Sequence, residues 1–351
     1  MSPLIRKEVK KLHGYTLASY GNQTKLNQNE SAYDLPLAIK KKALARLEAL
    51  AWNRYPTPFC APLCQKIADY EDCDKEAVLV SGGSNILIQA ILLASSIEGK
   101  VLTVTPSFSL YDIEAALLGN RLISVPLEKE DFAFPKEKFL ARLKKEKPNV
   151  VFLANPNAPT GNLFSEEDLV AVLKAAKGLV VVDEAYYPFS DFTLKSRLKQ
   201  FPNLILTRTF SKAFSLGGVR LGYLLADPSI VREVQKAMLP FSVGLLSQAV
   251  GEVVLEEEGF VRSIVNEVSR EREIVYQGLR QFKELKVYPS HANFLLFQTK
   301  KAKALFQKLL GQGVLIRDVS GPQLPNSLRV SIGSPSENRR FLEAISHALT
   351  A

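Results

Sequence analysis

An α/β fold built on a mostly parallel sheet is the expectation for this chain, and three observations predict it. Apolar runs such as Val101-Leu-Thr-Val-Thr105, Val150-Val-Phe-Leu-Ala154 and Leu179-Val-Val-Val-Asp183 recur between residues 77 and 226. Stretches with helical spacing lie between them, and that alternation reads as βαβ units. Several runs end in turns of Gly, Pro and Asn carrying polar side chains, at the strand ends where open parallel sheets hold ligands.

Taken in order, residues 1–30 are polar and irregular, with Tyr15 in a Gly-Tyr-Thr segment and Lys25-Leu-Asn-Gln-Asn-Glu30 at the end. Pro36 to Trp52 carries Leu37, Leu44, Leu47, Leu50 and Ala51 among lysines, an amphipathic helix with Pro in its first turn. Two prolines stop it within Asn53-Arg-Tyr-Pro-Thr-Pro58, which holds Tyr55. Residues 77–91 then read as strand, glycine turn and helix. Gly82 and Gly83 allow close backbone approach, Ser84 suits an N-cap, and a helix start attracts anions. A Gly-Gly-Ser turn also occurs where nothing binds, and no Gly-Lys-Ser/Thr follows to make a P-loop.

Further strands are expected at 101–105, 121–127, 149–154, 178–183, 203–207 and 221–226, the last ending the sheet. Phe108 follows one of them and by itself reads as core. Asp183 closes an apolar run, where a carboxylate is costly unless it is paired. Residues 245–283 form one or two long helices broken at Glu256–Glu258 and Gly259. From 284 onward, short strands near 287, 293–297 and 328–332 and a final helix suggest a small α+β unit. Arg329 should face away from its buried neighbours Leu328 and Val330.

Lys212 lies just past the 203–207 strand, between Thr209 and Ser211 on one side and apolar residues on the other, with Arg220 beyond Gly217 and Gly218. A lysine in a partly apolar pocket loses proton affinity and becomes an amine nucleophile toward an aldehyde. Hydroxyls and an arginine suit a phosphate. An aldehyde carrying a phosphate describes pyridoxal phosphate, although spacing alone also fits a surface lysine in a Ser/Gly loop.

Composition narrows the classes. Hydrophobic content of 46% with 23% charged residues is that of a soluble globular protein of about two domains. No apolar run is long enough for a membrane span. The basic N-terminus lacks an apolar signal region, so a cytoplasmic protein is expected. Three cysteines (Cys60, Cys64, Cys73) make no disulfide framework and, far from the histidines, no metal site. The net charge of +9 suits anionic metabolites, and its scattered lysines form no aromatic-interleaved stripe for nucleic acid.

The segment Ser211-Lys-Ala-Phe-Ser-Leu-Gly-Gly-Val-Arg-Leu-Gly222 resembles the Schiff-base motif of fold-type I aminotransferases, and is most similar to that of the histidinol-phosphate aminotransferase family. Further motifs follow the family's order, covering Tyr15 to Glu337. The resemblance implies a pyridoxal-phosphate-dependent transferase with a mostly parallel seven-stranded sheet flanked by helices. The large cofactor domain would span 32–240, and a small α+β domain would combine 1–31 with 241–351. It implies Lys212 as the Schiff-base lysine, with Thr209, Ser211, Arg220, Gly83 and Ser84 at the cofactor phosphate. Asn85 stands where an acid is usual. Phe108 would stack on the ring, Asp183 pair with the ring nitrogen, and Tyr186 bond the phenolic oxygen. The asparagine usual before Pro-Thr-Gly is Ala158 here, leaving Asn157 as the neighbour to take its role. Tyr55 would reach the partner subunit's cofactor in a homodimer with shared active sites. Tyr15, Tyr55 and Arg317 would suit a substrate phosphate, and Arg329 an α-carboxylate. Asn293 would give structural support.

The implied reaction is ping-pong transfer of the amino group of L-histidinol phosphate to 2-oxoglutarate, giving imidazole acetol phosphate and L-glutamate. Aromatic or broad-specificity amino-acid transamination is the alternative, and threonine-phosphate decarboxylation a more distant one. A cofactor-binding regulator would need a separate DNA-binding module, for which the pattern leaves no residues.

Overall fold

Each apolar run between residues 77 and 226 is a strand in the computed structural model, which describes residues 4–12 and 24–350. In chain order the strands are β1 (Thr24–Lys25), β2 (Val78–Ser81), β3 (Lys100–Thr105), β4 (Arg121–Pro126), β5 (Val150–Ala154), β6 (Leu179–Asp183) and β7 (Leu204–Thr209). They continue with β8 (Gly222–Ala226), β9 (Lys286–Val287), β10 (Phe294–Gln298), β11 (Val314–Leu315), β12 (Arg317–Asp318) and β13 (Ser327–Ser331). Among the described residues, β2 to β8 make one seven-stranded sheet in the order β2-β8-β7-β6-β5-β3-β4. Its pairs from β7 through β4 are parallel. Only β8 runs antiparallel to its neighbours, β7 and β2, so it lies inside the sheet rather than ending it.

Helices cover both faces, so β5 is buried at every position and reads as an unbroken apolar run. Val181, Ile205 and Leu224 face the helices Ser84–Ser95 and Leu110–Leu117. Val180, Val182, Leu204 and Leu206 face the core that includes Phe139, Leu169 and Val172. This alternation sends consecutive residues at each strand end to opposite sides of the sheet.

The C-terminal part forms a second, antiparallel sheet in the order β12-β13-β10-β9, with the helices Glu258–Arg280, Ala302–Gly311 and Pro335–Thr350. In β13, Leu328 and Val330 are fully buried, and Arg329 between them is partly exposed. Strand β1 pairs in parallel with β11, which lays residues 24–31 beside this sheet. The long helical stretch divides into Leu245–Leu255 and Glu258–Arg280, with Gly259 already inside the second helix.

The first amphipathic helix, Leu37–Glu48, buries Ile39, Ala43 and Leu47. Leu37, Leu44 and Leu50 are exposed, contrary to the stripe read from sequence. The helix Leu245–Leu255 packs against this one, and the residues spaced by four form the buried face. Among the described residues, no helix is long and apolar enough to cross a membrane.

Candidate active site

A cavity of about 760 Å³ opens at the C-terminal ends of β3, β5, β6 and β7. Strand β3 has β4 on one side and β5 on the other, so the cavity lies at the topological switch point of the sheet. It brings together Ser84, Asn85, Phe108, Asp183, Tyr186, Thr209, Ser211, Lys212, Arg220, Arg317 and Arg329. The large sheet and its loops supply the first nine of these. The second sheet supplies the two arginines, and Asn27 to Asn29 close one side.

Lys212 follows β7 in a loop anchored by the buried side chains of Phe210, Ala213, Phe214 and Leu216. Its Nζ donates to the carbonyl of Gln28 (3.0 Å) and lies 5.9 Å from the centre of the Tyr186 ring. Burial, with Arg329 and Arg220 nearby and Glu30 opposing, lowers the ammonium from its ordinary range to about 7. A neutral amine is thus accessible near neutral pH, as a nucleophile or a general base requires.

At one end, Gly83 precedes the helix Ser84–Ser95 at φ +103°, and no side chain caps that helix. Its first N–H groups are therefore available to an anion. A Cβ on Gly83 would stand 2.6 Å from Nη2 of Arg220, so glycine lets the guanidinium lie against the turn. Arg220 Nη1 donates to Ser211 Oγ (3.2 Å) and to the Gly217 carbonyl (3.0 Å). Ser211 N donates to Thr209 Oγ1 (3.1 Å), placing both hydroxyls beside the arginine.

Asp183, at the end of β6, is buried. It accepts hydrogen bonds from the Tyr111 hydroxyl (2.8 Å) and the Ala185 N–H (3.2 Å). Burial raises its carboxyl above the usual range, against the hydrogen bond from Tyr111. The Phe108 ring meets Tyr111 edge-on at 5.6 Å, and Tyr111 stacks on Phe152 at 4.9 Å. The Tyr186 hydroxyl accepts from Asn29 Nδ2 (2.9 Å), and the Asn29 Oδ1 accepts from Ser331 Oγ (3.1 Å). Across the cavity, Arg329 donates to the Asn27 carbonyl (3.1 Å), and Arg317 is its direct partner in the β12–β13 pair.

Asn157 does not line the cavity. Its Nδ2 donates to Pro106 O (3.0 Å) and Thr160 Oγ1 (2.7 Å), and its Oδ1 accepts from Ser107 (3.0 Å). The amide holds the loop together and is turned away from the position expected of it. Ala158 does line the cavity, packed with Ala292, Phe294 and Tyr186. Tyr55 is 83% exposed, outside the cavity of its own chain, and its ring meets Phe241 at a tilt with centroids 4.9 Å apart. Tyr15 lies outside the described residues. Asn293 donates to the Asn29 carbonyl (3.0 Å), a supporting contact.

Sequence reasoning gave no role to Tyr111, Asn29 or the wall formed by residues 318–324. Tyr111 lies in the first turn of the helix Leu110–Leu117, and it reaches the site by its hydroxyl bond to Asp183. Asn29 lies in the segment 25–30, and its bond to Tyr186 arises from how that segment packs against the loop after β6.

The family model for aminotransferases of class I and II matches residues 21–345. The chain belongs to that family. Histidinol-phosphate aminotransferase of Deinococcus radiodurans is 36% identical over 97% of this chain and 95% of its own. That of Ruminiclostridium cellulolyticum is 36% identical over 97% of each. In shape, the chain is similar to a crystal structure of histidinol-phosphate aminotransferase from Sinorhizobium meliloti in complex with pyridoxal-5'-phosphate. The TM-score is 0.88, over 100% of this chain and 98% of that one, at 22% identity.

The cofactor of this aminotransferase is pyridoxal phosphate, and the site fits it. The cradle at Gly83 stays open only because glycine has no Cβ, and the helix start, Ser211 and Arg220 supply donors for a phosphate. Asp183 offers a buried carboxylate to a ring cation, and Lys212 offers an amine to an aldehyde.

Proposed function

We propose that this aminotransferase takes the amino group of L-histidinol phosphate and passes it to 2-oxoglutarate, giving imidazole acetol phosphate and L-glutamate in histidine biosynthesis. The curated relatives support that donor, and the pairing of Arg317 with Arg329 in the cavity carries it. Two guanidinium groups on facing residues suit a phosphate dianion, and arginine binds carboxylates with the same fork. In histidinol phosphate a CH2–O–phosphate group stands on Cα where an α-amino acid carries its carboxylate. One cationic wall thus serves the donor phosphate and the carboxylate of the acceptor in turn.

Bound pyridoxal phosphate supplies the carbonyl that takes up the amino group and a ring that draws electrons from the donor's Cα. In our reading, Gly83, Ser84, Thr209, Ser211 and Arg220 hold its phosphate, Asn85 borders it, and Phe108 packs on the ring. Asp183 keeps the ring nitrogen's proton, and Tyr186, steadied by Asn29, donates to the phenolic oxygen. Lys212 Nζ, whose neutral form is well populated near pH 7, would remove the proton from the donor's Cα.

We also propose a cytoplasmic homodimer. Trp52, Tyr55, Leu239 and Leu246 are exposed apolar or aromatic residues that a subunit interface would cover. Tyr55 contributes to a site only by reaching the partner's. The domains are taken as 32–240 and as 1–31 with 241–351, supported by the pairing of β1 with β11. The test of the donor is a half-reaction on cofactor-loaded protein, following loss of its visible absorbance. Histidinol phosphate should bleach it rapidly and phenylalanine and tyrosine slowly. Equal or faster bleaching by the unphosphorylated aromatic donors overturns the assignment.

A further inference from the structure

On the opposite face of the same strand ends lies a buried charge cluster none of whose members line the cavity. Arg208 is 1% exposed, and its Nη1 pairs with Glu71 Oε2 at 2.6 Å. Its Nε (2.9 Å) and Nη2 (2.7 Å) both donate to Glu184 Oε2, and its guanidinium lies 3.8 Å from the Tyr187 ring centre. Glu71 also accepts from the Tyr223 hydroxyl (2.6 Å), with Lys195 at 3.7 Å. Glu184 accepts from the Leu194 N–H (2.8 Å) and Thr193 Oγ1 (2.9 Å).

Glu184 is the residue after Asp183, and Arg208 the residue before Thr209. Strand alternation sends Asp183 and Thr209 to the cavity side and Glu184 and Arg208 to the other. The ladder ties them together, with Asp183 opposite Thr207 and the Glu184 N–H bonded to the Thr207 carbonyl (2.8 Å). Two carboxylates on adjacent buried residues disfavour each other's ionisation unless one is neutralised. Burial already raises the Asp183 carboxyl, and the charge of Glu184 acts in the same direction.

We infer that Arg208 is a positioning residue whose charge cancels that of Glu184 and thereby keeps Asp183 ionised for the cofactor's ring nitrogen. It acts across the sheet without touching the cavity. The inference rests on Asp183 facing that nitrogen, so the experiment includes a variant that tests this placement separately.

The readout is the nitrogen-15 chemical shift of pyridoxal phosphate labelled at the ring nitrogen, bound to the full-length protein at one neutral pH, together with the half-reaction rate. In the wild type the shift should be that of a protonated ring. D183N should move it to the unprotonated value. R208Q should move it the same way and slow the half-reaction about tenfold, the effect of one pKa unit at Asp183. R208K keeps the charge, and R208Q/E184Q removes both charges, so each should hold the wild-type shift. A purely structural role predicts no such recovery in the double variant. Should R208Q fail to fold, the other two decide, and an unprotonated ring in either overturns the inference. A wild-type shift in R208Q alongside a changed one in D183N also overturns it. No change in D183N shows instead that the placement of Asp183 is wrong.

Discussion

Arg317 and Arg329 are register partners, their Cα atoms directly opposed across the antiparallel β12–β13 pair. Facing like charges disfavour a sheet, and an anion bound between them would relieve that cost. Arg317→Ala should therefore leave the melting temperature of the ligand-free protein unchanged or slightly raised. It should lower kcat/KM for histidinol phosphate by roughly tenfold to a hundredfold, the loss of a charged hydrogen bond worth about 1.5–3 kcal/mol. An unaltered kcat/KM would remove Arg317 from the substrate site.

Lys212 gives a pH signature in the cofactor-free protein. Its ammonium is lowered from 10.5 in an open chain to about 7 in the fold. Between those values the unfolded chain binds more protons, so stability rises with pH across that window. The burial penalty is full below about pH 7 and fades toward about 10.5. Lys212→Met should abolish turnover yet stabilise the cofactor-free fold by a few kcal/mol at low pH, at ~1.4 kcal/mol per tenfold change in proton affinity. Urea unfolding at several pH values reads this, and a gain that grows with pH would contradict it.

Ala158 sits in an apolar niche beside Phe294 and Tyr186. Ala158→Asn puts an amide there without a partner, which costs about 1–3 kcal/mol when buried. The melting temperature should fall in the cofactor-free protein and recover on loading, because the amide gains an acceptor in the phenolic oxygen. Equal losses with and without pyridoxal phosphate would show that position 158 does not face it.

Gly83→Ala tests the phosphate cradle. The new methyl would meet Arg220 at a backbone angle unfavourable for any L side chain. Pyridoxal phosphate affinity, measured by equilibrium dialysis, should weaken at least about tenfold, as expected for disturbing one charge-assisted contact. Wild-type affinity would place the phosphate elsewhere.

Tyr55 is tested by mixing subunits. Lys212→Ala and Tyr55→Ala homodimers should both be poor enzymes, while a hybrid dimer carries one site with both residues intact. Activity above that of either parent supports the shared site; no gain after subunit exchange argues against it.

Much of this was legible in the chain because parallel strands leave strong local signals. Buried on both faces, β5 and β6 are nearly pure apolar runs, and the polar residues where they end mark the cavity. Chemistry that depends on one side chain in a loop, such as Lys212 or Gly83, could also be placed by motif. Contacts between distant segments could not. That Asn29 meets Tyr186, or that Asn157 turns toward Pro106 and Thr160, follows from how remote loops pack. The helix Leu37–Glu48 shows the same limit, because its partner helix selected a face that spacing alone did not. Arg208 escaped notice since a strand arginine carries no sign that two carboxylates await it.

The two walls of the cavity come from two separate sheets. The wall that carries Lys212 and Asp183 rests on residues 78–226, and the facing wall, with Arg317 and Arg329, rests on 24–31 and 286–331. Substitutions in the loop 318–324 would reshape that wall while leaving the strand ends that carry Lys212 and Asp183 as they are.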